Sequence, residues 1–190
     1  MRLELATERL ILREMIPEDW RAFYDIHREP AVVRYLTQDV ATEDSAREYV
    51  ERAIASAREE PRLTFDLAIT ERGGNGELVG RCGLRRKDSE PRIGEIWYVL
   101  SPACVGRGYA TEAARAMLRL AFAELALHRI YADVDPRNLR SIRVLERIGM
   151  RREAHFVQDV WIKGEWCDTM MLGILAHEYH RVAVHPRAGD

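Results

Sequence analysis

Residues 105–111 read Val105-Gly106-Arg107-Gly108-Tyr109-Ala110-Thr111. They separate a strand-like run, Ile93 to Leu100, from a run with helical periodicity, Tyr109 to about Leu125. Glycine readily adopts positive φ angles, so the two glycines allow successive amide N–H groups to face one concavity. The helix dipole adds partial positive charge there, and such a site suits a pyrophosphate. A glycine-rich turn without a ligand is the alternative interpretation of these seven residues.

Two common nucleotide loops do not fit this segment. A dinucleotide fingerprint, G-x-G-x-x-G, would need glycine or alanine where Thr111 stands. A Walker loop needs G-x-x-x-x-G-K, which the chain lacks. The segment therefore favours neither dinucleotides nor P-loop nucleotides.

Strand-like and helical patterns surround this loop in an order typical of a mixed α/β fold. We predict strands at about 10–13, 63–69, 77–84, 93–100, 129–134, 152–162 and 165–175. We predict helices at about 17–28, 42–59, 109–125 and 138–148. Glycines 73, 74 and 76 predict a hairpin loop rather than a domain boundary. The expected organisation is one domain over 1–181 and a flexible C-terminal tail over 182–190.

The composition narrows the classes of function. The chain has 190 residues, of which 47% are hydrophobic and 32% charged, and its net charge is -2. These values exclude a disordered chain and lack the basic excess typical of nucleic-acid binding. The chain has no signal-like apolar core near its start and no membrane-length apolar run, so we expect a cytoplasmic protein without a membrane partner. Cys82, Cys104 and Cys167 are widely spaced, which predicts reduced thiols and no zinc site.

Three motifs in this order resemble the acetyl-CoA-binding core of the GNAT N-acetyltransferases. They are Glu95-Ile96-Trp97-Tyr98-Val99-Leu100-Ser101-Pro102, Gly106-Arg107-Gly108-Tyr109-Ala110-Thr111-Glu112-Ala113, and Asn138-Leu139-Arg140-Ser141-Ile142-Arg143-Val144-Leu145-Glu146-Arg147-Ile148-Gly149-Met150. Lys163-Gly164-Glu165-Trp166 with Asp168 also resembles the closing hairpin of the RimJ/RimL type. The resemblance implies a GNAT-like acyltransferase fold: a central, mostly antiparallel, twisted sheet with two splayed parallel strands and flanking helices.

The resemblance also implies a cofactor site. Acetyl-CoA would be the co-substrate, with no metal, and its pantetheine arm would lie between the splayed strands. The residues implied to hold it are Val99, Leu100, Ser101, Val105, Gly106, Arg107, Gly108, Tyr109, Ala110, Thr111 and Asn138. Val105 stands where the family usually has glutamine or arginine, so one side-chain contact is expected to be missing. Asn138 is equally explained as a helix N-cap.

Two catalytic residues follow from the same resemblance. Glu95 matches the position of the base in some family members, and a carboxylate in an apolar strand is expected to have a raised pKa. Many members place a tyrosine where this chain has Leu145, while the RimJ/RimL type has a serine near the sulfur, here Ser141. A glutamate on a solvated strand face and a plain helix-surface serine are the alternatives. Arg140, Arg143 and Arg147 would either meet the 3′-phosphate of CoA or be simply solvated.

The expected reaction is direct attack of a primary amine on the thioester, without an acyl-enzyme. The RimJ/RimL likeness favours the α-amine of a protein or peptide N-terminus as acceptor. A small amine such as an antibiotic, polyamine or amino acid is one alternative, and a non-catalytic acyl-CoA-binding module is another. The chain is expected to be a monomer or a homodimer, and fold analogy does not identify the acceptor.

Overall fold

A computed structural model of the protein describes residues 3–184, with side chains described through residue 180. Eight strands form one sheet in the order β1-β2-β3-β4-β5-β6-β8-β7. The strands are β1 (Glu4–Ala6), β2 (Leu10–Glu14), β3 (Thr64–Glu71), β4 (Leu78–Lys87), β5 (Glu90–Leu100), β6 (Arg129–Val134), β7 (Arg151–Ile162) and β8 (Glu165–Leu175). Neighbouring strands pair antiparallel except β5 and β6, which pair parallel. The predicted mixed, mostly antiparallel sheet is confirmed.

Six helices flank the sheet in the described part of the chain. They are α1 (Trp20–His27), α2 (Pro30–Val33), α3 (Glu43–Ser56), α4 (Tyr109–Arg119), α5 (Leu139–Arg147) and α6 (Ala176–Val184). A 3-10 turn, Pro17–Asp19, precedes α1, and a π-helical turn, Leu120–Glu124, follows α4. Thr42 caps α3 as expected, because its side chain accepts a hydrogen bond from the Ser45 amide at 3.2 Å.

Three elements had no clear signal in the sequence: β1, α2 and α6. The first two are only three and four residues long, which is too short for a periodic pattern. Helix α6 extends to Val184, so it includes the first residues of the predicted tail at 182–190. The rest of that predicted tail, 185–190, lies outside the described residues.

The sheet has an apolar layer on each face. Helices α4 and α5 pack on one face, where buried side chains such as Met117 and Leu145 meet Ile96 and Ile130. Helices α1 and α3 pack on the other face through residues such as Phe23 and Val50. Because side chains alternate along a strand, Ile96 and Tyr98 of β5 belong to the α4/α5 face, whereas Val99 belongs to the α1/α3 face.

Strands β5 and β6 are paired for only a short distance. The paired positions are Ile93 with Arg129, Gly94 with Ile130 and Glu95 with Tyr131. Beyond Glu95, β5 continues for five residues to Leu100, still paired with β4 but no longer with β6. The two strands therefore part after Glu95, and this confirms the predicted splayed parallel pair.

The state of the cysteines and the length of the helices can be compared with what the sequence predicts. Cys82, Cys104 and Cys167 are free and buried. Among the described helices, none combines the length and apolarity needed to cross a membrane.

Candidate active site

The glycine-rich loop meets α4 in the conformation that the sequence suggested. Gly106 and Gly108 have φ angles of 85° and 82°, in the left-handed region that glycine adopts without steric cost. The first helical hydrogen bond runs from the Glu112 amide to the Gly108 carbonyl at 3.1 Å. The amides of residues 109–111 lie before this bond and have no intrahelical partner. The start of α4 therefore presents several N–H donors together with the positive end of the helix dipole.

Side chains of the loop hold it against β3 rather than reach for a ligand. The hydroxyl of Tyr109 donates to Glu71 Oε1 at 2.7 Å, and Arg107 Nη1 pairs with the same oxygen at 2.7 Å. Arg9 Nη1 donates to the Arg107 carbonyl at 2.9 Å. The side chains of Tyr109 and Arg107 thus fix the loop to Glu71 at the end of β3.

Thr111 provides a direct test of whether this loop fits a phosphate group. It is buried, and its Oγ1 has no hydrogen-bond partner within the described residues. A buried hydroxyl without a partner costs free energy unless a ligand or water satisfies it. Its place in the first turn of α4 is where a phosphate oxygen would accept its hydrogen bond. The loop therefore fits the pyrophosphate of acetyl-CoA, although Val105 is exposed and offers no polar side-chain atom.

The backbone N–H and C=O groups of successive β5 residues point alternately toward β4 and toward β6. This alternation decides which residues past Glu95 have backbone groups that face the gap. The Arg92 carbonyl accepts from the His128 amide, on the β6 side, at 2.8 Å. The Ser101 amide donates to the Val79 carbonyl, on the β4 side, at 2.9 Å. Because backbone groups alternate along a strand, Leu100 faces the gap, whereas Val99 and Ser101 face β4. Of these three predicted residues, Leu100 is the one whose backbone groups face the gap.

Glu95 lies at the last paired position before the gap, and its side chain is half-buried. It projects to the α1/α3 face, as Val99 does, opposite Arg85 on β4 and Tyr131 on β6. Burial raises the pKa of Glu95, and the nearby Asp133 carboxylate raises it further; Arg85 and a hydrogen bond from Tyr131 oppose the shift. A carboxylate with a raised pKa is a better base near neutral pH than an ordinary glutamate.

Two neighbours of Glu95 on β6 belong to no motif in the sequence. Tyr131 and Asp133 alternate with buried Ile130 and Ala132, so both project to the same face as Glu95. Burial and the charge of Asp159 raise the pKa of Asp133. The alternation of β6 was visible in the sequence, but its register against β5 was not.

Asn138 and Ser141 lie together at the start of α5. Asn138 is the N-cap, and its Oδ1 accepts from the Ser141 amide at 3.1 Å. Its NH2 group is not part of this cap, so a cofactor contact remains compatible with the capping role. Ser141 is half-buried and its Oγ lies 2.9 Å from the hydroxyl of Tyr98 on β5.

Three arginines at helical spacing on α5, which we call the basic stripe, do not all line the same cavity. Arg140, Arg143 and Arg147 are all exposed. Arg147 lines a cavity of about 490 Å³ on the outer side of α4, together with Arg9, Arg119 and the loop residues Gly108 and Thr111. Arg140 and Arg143 do not line this cavity. The stripe thus does not act as one surface.

A buried polar cluster lies under α1 and α3, on the same face as Glu95. The cluster consists of His27, Tyr49, Asp66 and Arg81. The Tyr49 hydroxyl donates to Asp66 Oδ2, while Arg81 Nη1 donates to the Tyr49 oxygen at 2.6 Å. Arg81 Nε also donates to His27 Nε2 at 3.1 Å. These bonds join two helices to two central strands.

Burial controls the protonation of this cluster. Burial and the Arg81 charge lower the pKa of His27 to about 4, so the imidazole is neutral at pH 7 and accepts through Nε2. Burial raises the pKa of Asp66, against the effects of Arg81, Tyr49 and Trp97. The Asp66 Oδ1 and Trp97 Nε1 atoms are buried without a hydrogen bond of ordinary geometry to any described residue.

Comparison with known proteins agrees with this geometry. The family model described as "Acetyltransferase (GNAT) domain" matches residues 9–151. An uncharacterized N-acetyltransferase, YnaD of Bacillus subtilis, is 33% identical over 178 residues, which are 94% of this chain and 100% of the relative. The crystal structure of a GNAT-family acetyltransferase from Bacillus anthracis has a TM-score of 0.82 and 32% identity, covering 92% of this chain and 99% of that one.

A more distant relative has a named substrate. The spermidine N(1)-acetyltransferase of Escherichia coli is 28% identical over 116 residues, which are 61% of this chain and 61% of the relative. Within the residues that the structure describes, no three His, Cys, Asp or Glu side chains are grouped so as to hold a metal ion.

The glycine-rich loop, the parted strands and the family match lead to one conclusion. The chain belongs to the GNAT acetyltransferase family and is an acetyl-CoA-dependent N-acetyltransferase.

Proposed function

We propose that the chain transfers the acetyl group of acetyl-CoA to the α-amine of a protein or peptide N-terminus, with Glu95 as the general base, in the manner of the RimJ/RimL type. The observation that carries the proposal is the parting of β5 from β6 directly after Glu95. The gap begins beside the half-buried Glu95, and the chain on its β5 side runs from Leu100 through the glycine-rich loop into the first turn of α4. The gap can therefore hold a thioester between a phosphate site and a base.

The start of α4 anchors the co-substrate. The amides of residues 109–111 and the Thr111 hydroxyl would bind its pyrophosphate, and the dipole of α4 favours the negative charge. The Leu100 backbone, which faces the gap, would pair with the pantetheine arm as a neighbouring strand does. Its amide would also polarise the thioester carbonyl.

Glu95 has the position and the raised pKa that amine attack requires. An α-amine has a pKa of about 8, whereas a lysine-like amine has a pKa of about 10.4, so an α-amine loses its proton far more easily at neutral pH. A carboxylate whose pKa is raised by burial accepts a proton better than an ordinary one. This match between a weak carboxylate base and a weakly basic amine favours the α-amine as acceptor.

A polyamine is the second candidate acceptor, and it is favoured by the charge of the α1/α3 face. Asp133 lies close enough to raise the pKa of Glu95, and Asp159 acts on Asp133 in the same direction. Such grouped carboxylates would attract a second positive charge on the acceptor. The Escherichia coli relative is named for spermidine.

A panel of acceptors distinguishes the two candidates. CoA release would be measured with peptides that have a free or a blocked α-amine and with spermidine, and mass spectrometry would locate the added acetyl group. We expect kcat/KM to be highest for a free peptide α-amine. A preference for spermidine, with the blocked and free peptides equally inactive, would contradict the α-amine assignment.

Gly108→Glu is expected to weaken acetyl-CoA binding about 100-fold or more, because it places a carboxylate at an anion site and a side chain at a positive φ. Titration calorimetry measures this. Gly164→Glu is the matched control, since Gly164 also has a positive φ, 84°, but lies in the β7–β8 turn. Equal affinities of the two variants would show that the loop does not bind the co-substrate.

A further inference from the structure

Tyr98 connects β5 to the first turn of α5. It lies three residues beyond Glu95, where β5 no longer pairs with β6. Its hydroxyl is 2.9 Å from Ser141 Oγ and 3.0 Å from the Ser141 carbonyl oxygen. Both distances are those of good O–H···O hydrogen bonds.

The direction of these two bonds follows from the donors available. A carbonyl oxygen only accepts, so the phenol proton of Tyr98 is donated to the Ser141 carbonyl. The Ser141 hydroxyl then donates to the Tyr98 oxygen. Burial raises the pKa of Tyr98 to about 12, although the contact with Ser141 opposes that shift. The phenol thus keeps its proton and remains a donor at neutral pH.

The position at which many family members place a tyrosine holds no hydroxyl group in this chain. Leu145 occupies it here, 1% exposed within the apolar layer of α4 and α5. A serine hydroxyl alone is a weak donor, so it benefits from a second donor behind it. Hydrogen bonds in a chain polarise one another, and each bond becomes stronger than it would be in isolation.

We propose that Tyr98 is a positioning residue for Ser141 and forms with it a two-membered hydrogen-bond relay that stabilises the departing CoA thiolate. This inference rests on the proposed function, which holds the thioester in the gap between β5 and β6, where Tyr98 of β5 contacts Ser141. When the C–S bond breaks, the sulfur keeps the electron pair. The Ser141 hydroxyl then turns to the sulfur, and the Tyr98 hydroxyl turns from the carbonyl to Ser141 Oγ. Both protons stay on their own oxygens, so the relay needs no further acid.

The thiol pKa of bound CoA tests the relay without any acceptor. Thiolate absorbance would be followed against pH for the complex with CoA, with the complex of desulfo-CoA subtracted. Since the relay stabilises the thiolate, the wild-type protein should hold the lowest thiol pKa. Tyr98→Phe and Ser141→Ala should each raise it by about one unit, the size expected for loss of one hydrogen bond to a charged group. The double variant should raise it no more than the larger single change.

A helix serine outside the gap provides the control. Ser56 lies at the end of α3 and donates to the Ala53 carbonyl at 3.0 Å. Ser56→Ala should leave the thiol pKa of bound CoA unchanged. A shift in Ser141→Ala without one in Tyr98→Phe would overturn the role of Tyr98, and so would strictly additive shifts.

Two further measurements keep the relay testable if Tyr98→Phe folds poorly. A crystal structure of the wild-type complex with CoA should place Ser141 Oγ within hydrogen-bond distance of both the sulfur and the Tyr98 hydroxyl. A sulfur out of reach of Ser141 would overturn the relay. Calorimetry on the wild-type protein distinguishes failure of the relay from failure of the proposed function, because a protein that does not bind CoA contradicts the proposed function itself.

Discussion

Replacing Glu95 by glutamine is expected to lower kcat/KM for the amine by about 100- to 1,000-fold, the range typical of a lost general base. Glutamine keeps the size of the side chain but cannot take the proton of an ammonium group. Acetyl-CoA affinity should stay nearly intact, since Glu95 lies on the α1/α3 face and away from the start of α4. The defect should be greatest from low to neutral pH and should shrink at high pH, where the amine is already deprotonated.

The dependence of kcat/KM on pH provides a second test of Glu95 as the base. A base works only above its own pKa, and the pKa of Glu95 is raised. In the wild-type protein, the rise of kcat/KM that reports the ionisation of Glu95 should therefore lie above the ordinary glutamate range, and in Glu95→Gln only the rise set by the pKa of the amine itself should remain. Glu90→Gln is the control, because Glu90 lies on the same strand but is paired with Arg92 at the surface. A Glu95→Gln rate equal to that of Glu90→Gln would remove Glu95 from the mechanism.

Arg81→Met should lower the free energy of unfolding by about 3–5 kcal/mol, the cost typical of removing one partner from a buried charged cluster. Arg81 is 4% exposed and donates to both His27 and Tyr49. Without it, the His27 ring and the Tyr49 oxygen lose a donor, and the buried Asp66 loses its compensating positive charge. Methionine fills much of the same volume, so the loss reflects charge and hydrogen bonding more than packing.

Urea denaturation of paired variants tests this prediction. Arg52→Met is the control on α3, where Arg52 is 71% exposed and lies 4.0 Å from Glu48, and it should cost less than about 1 kcal/mol. Adding Asp66→Asn to Arg81→Met should recover part of the loss, because the uncompensated carboxylate is then gone. Equal stability of Arg81→Met and Arg52→Met would mean that the cluster does not stabilise the fold.

Most of the sheet and the larger helices could be predicted from local pattern. The alternation at 129–134 and the helical spacing after Tyr109 depend only on nearby residues, and the structure has both elements. Lys163-Gly164 between two strand-like runs predicts the closing hairpin, and the structure has β7 and β8 on either side of this turn. The end of the helix predicted at 109–125 differs, since α4 stops at Arg119 and a π-helical turn, Leu120–Glu124, follows it, a local variation that apolar spacing does not encode.

The groups that depend on register and long-range contact were not predictable. Local pattern identified β5, but whether Leu100 or Ser101 faces the gap depends on the pairing with Val79. The cluster around Arg81 joins residues up to 54 positions apart, and His27 and Asp66 have no sequence signal that connects them. Tyr98 was part of a recognised motif, yet its contact with Ser141 spans 43 positions and exists only in the folded chain.

A crystal structure of the protein with bound CoA tests the cofactor site most directly. The pyrophosphate oxygens are predicted to lie within hydrogen-bond distance of the amides of residues 109–111 and of Thr111 Oγ1, with the pantetheine arm beside the Leu100 backbone. CoA bound elsewhere, with the Thr111 hydroxyl still without a partner and the gap between β5 and β6 empty, would contradict this assignment.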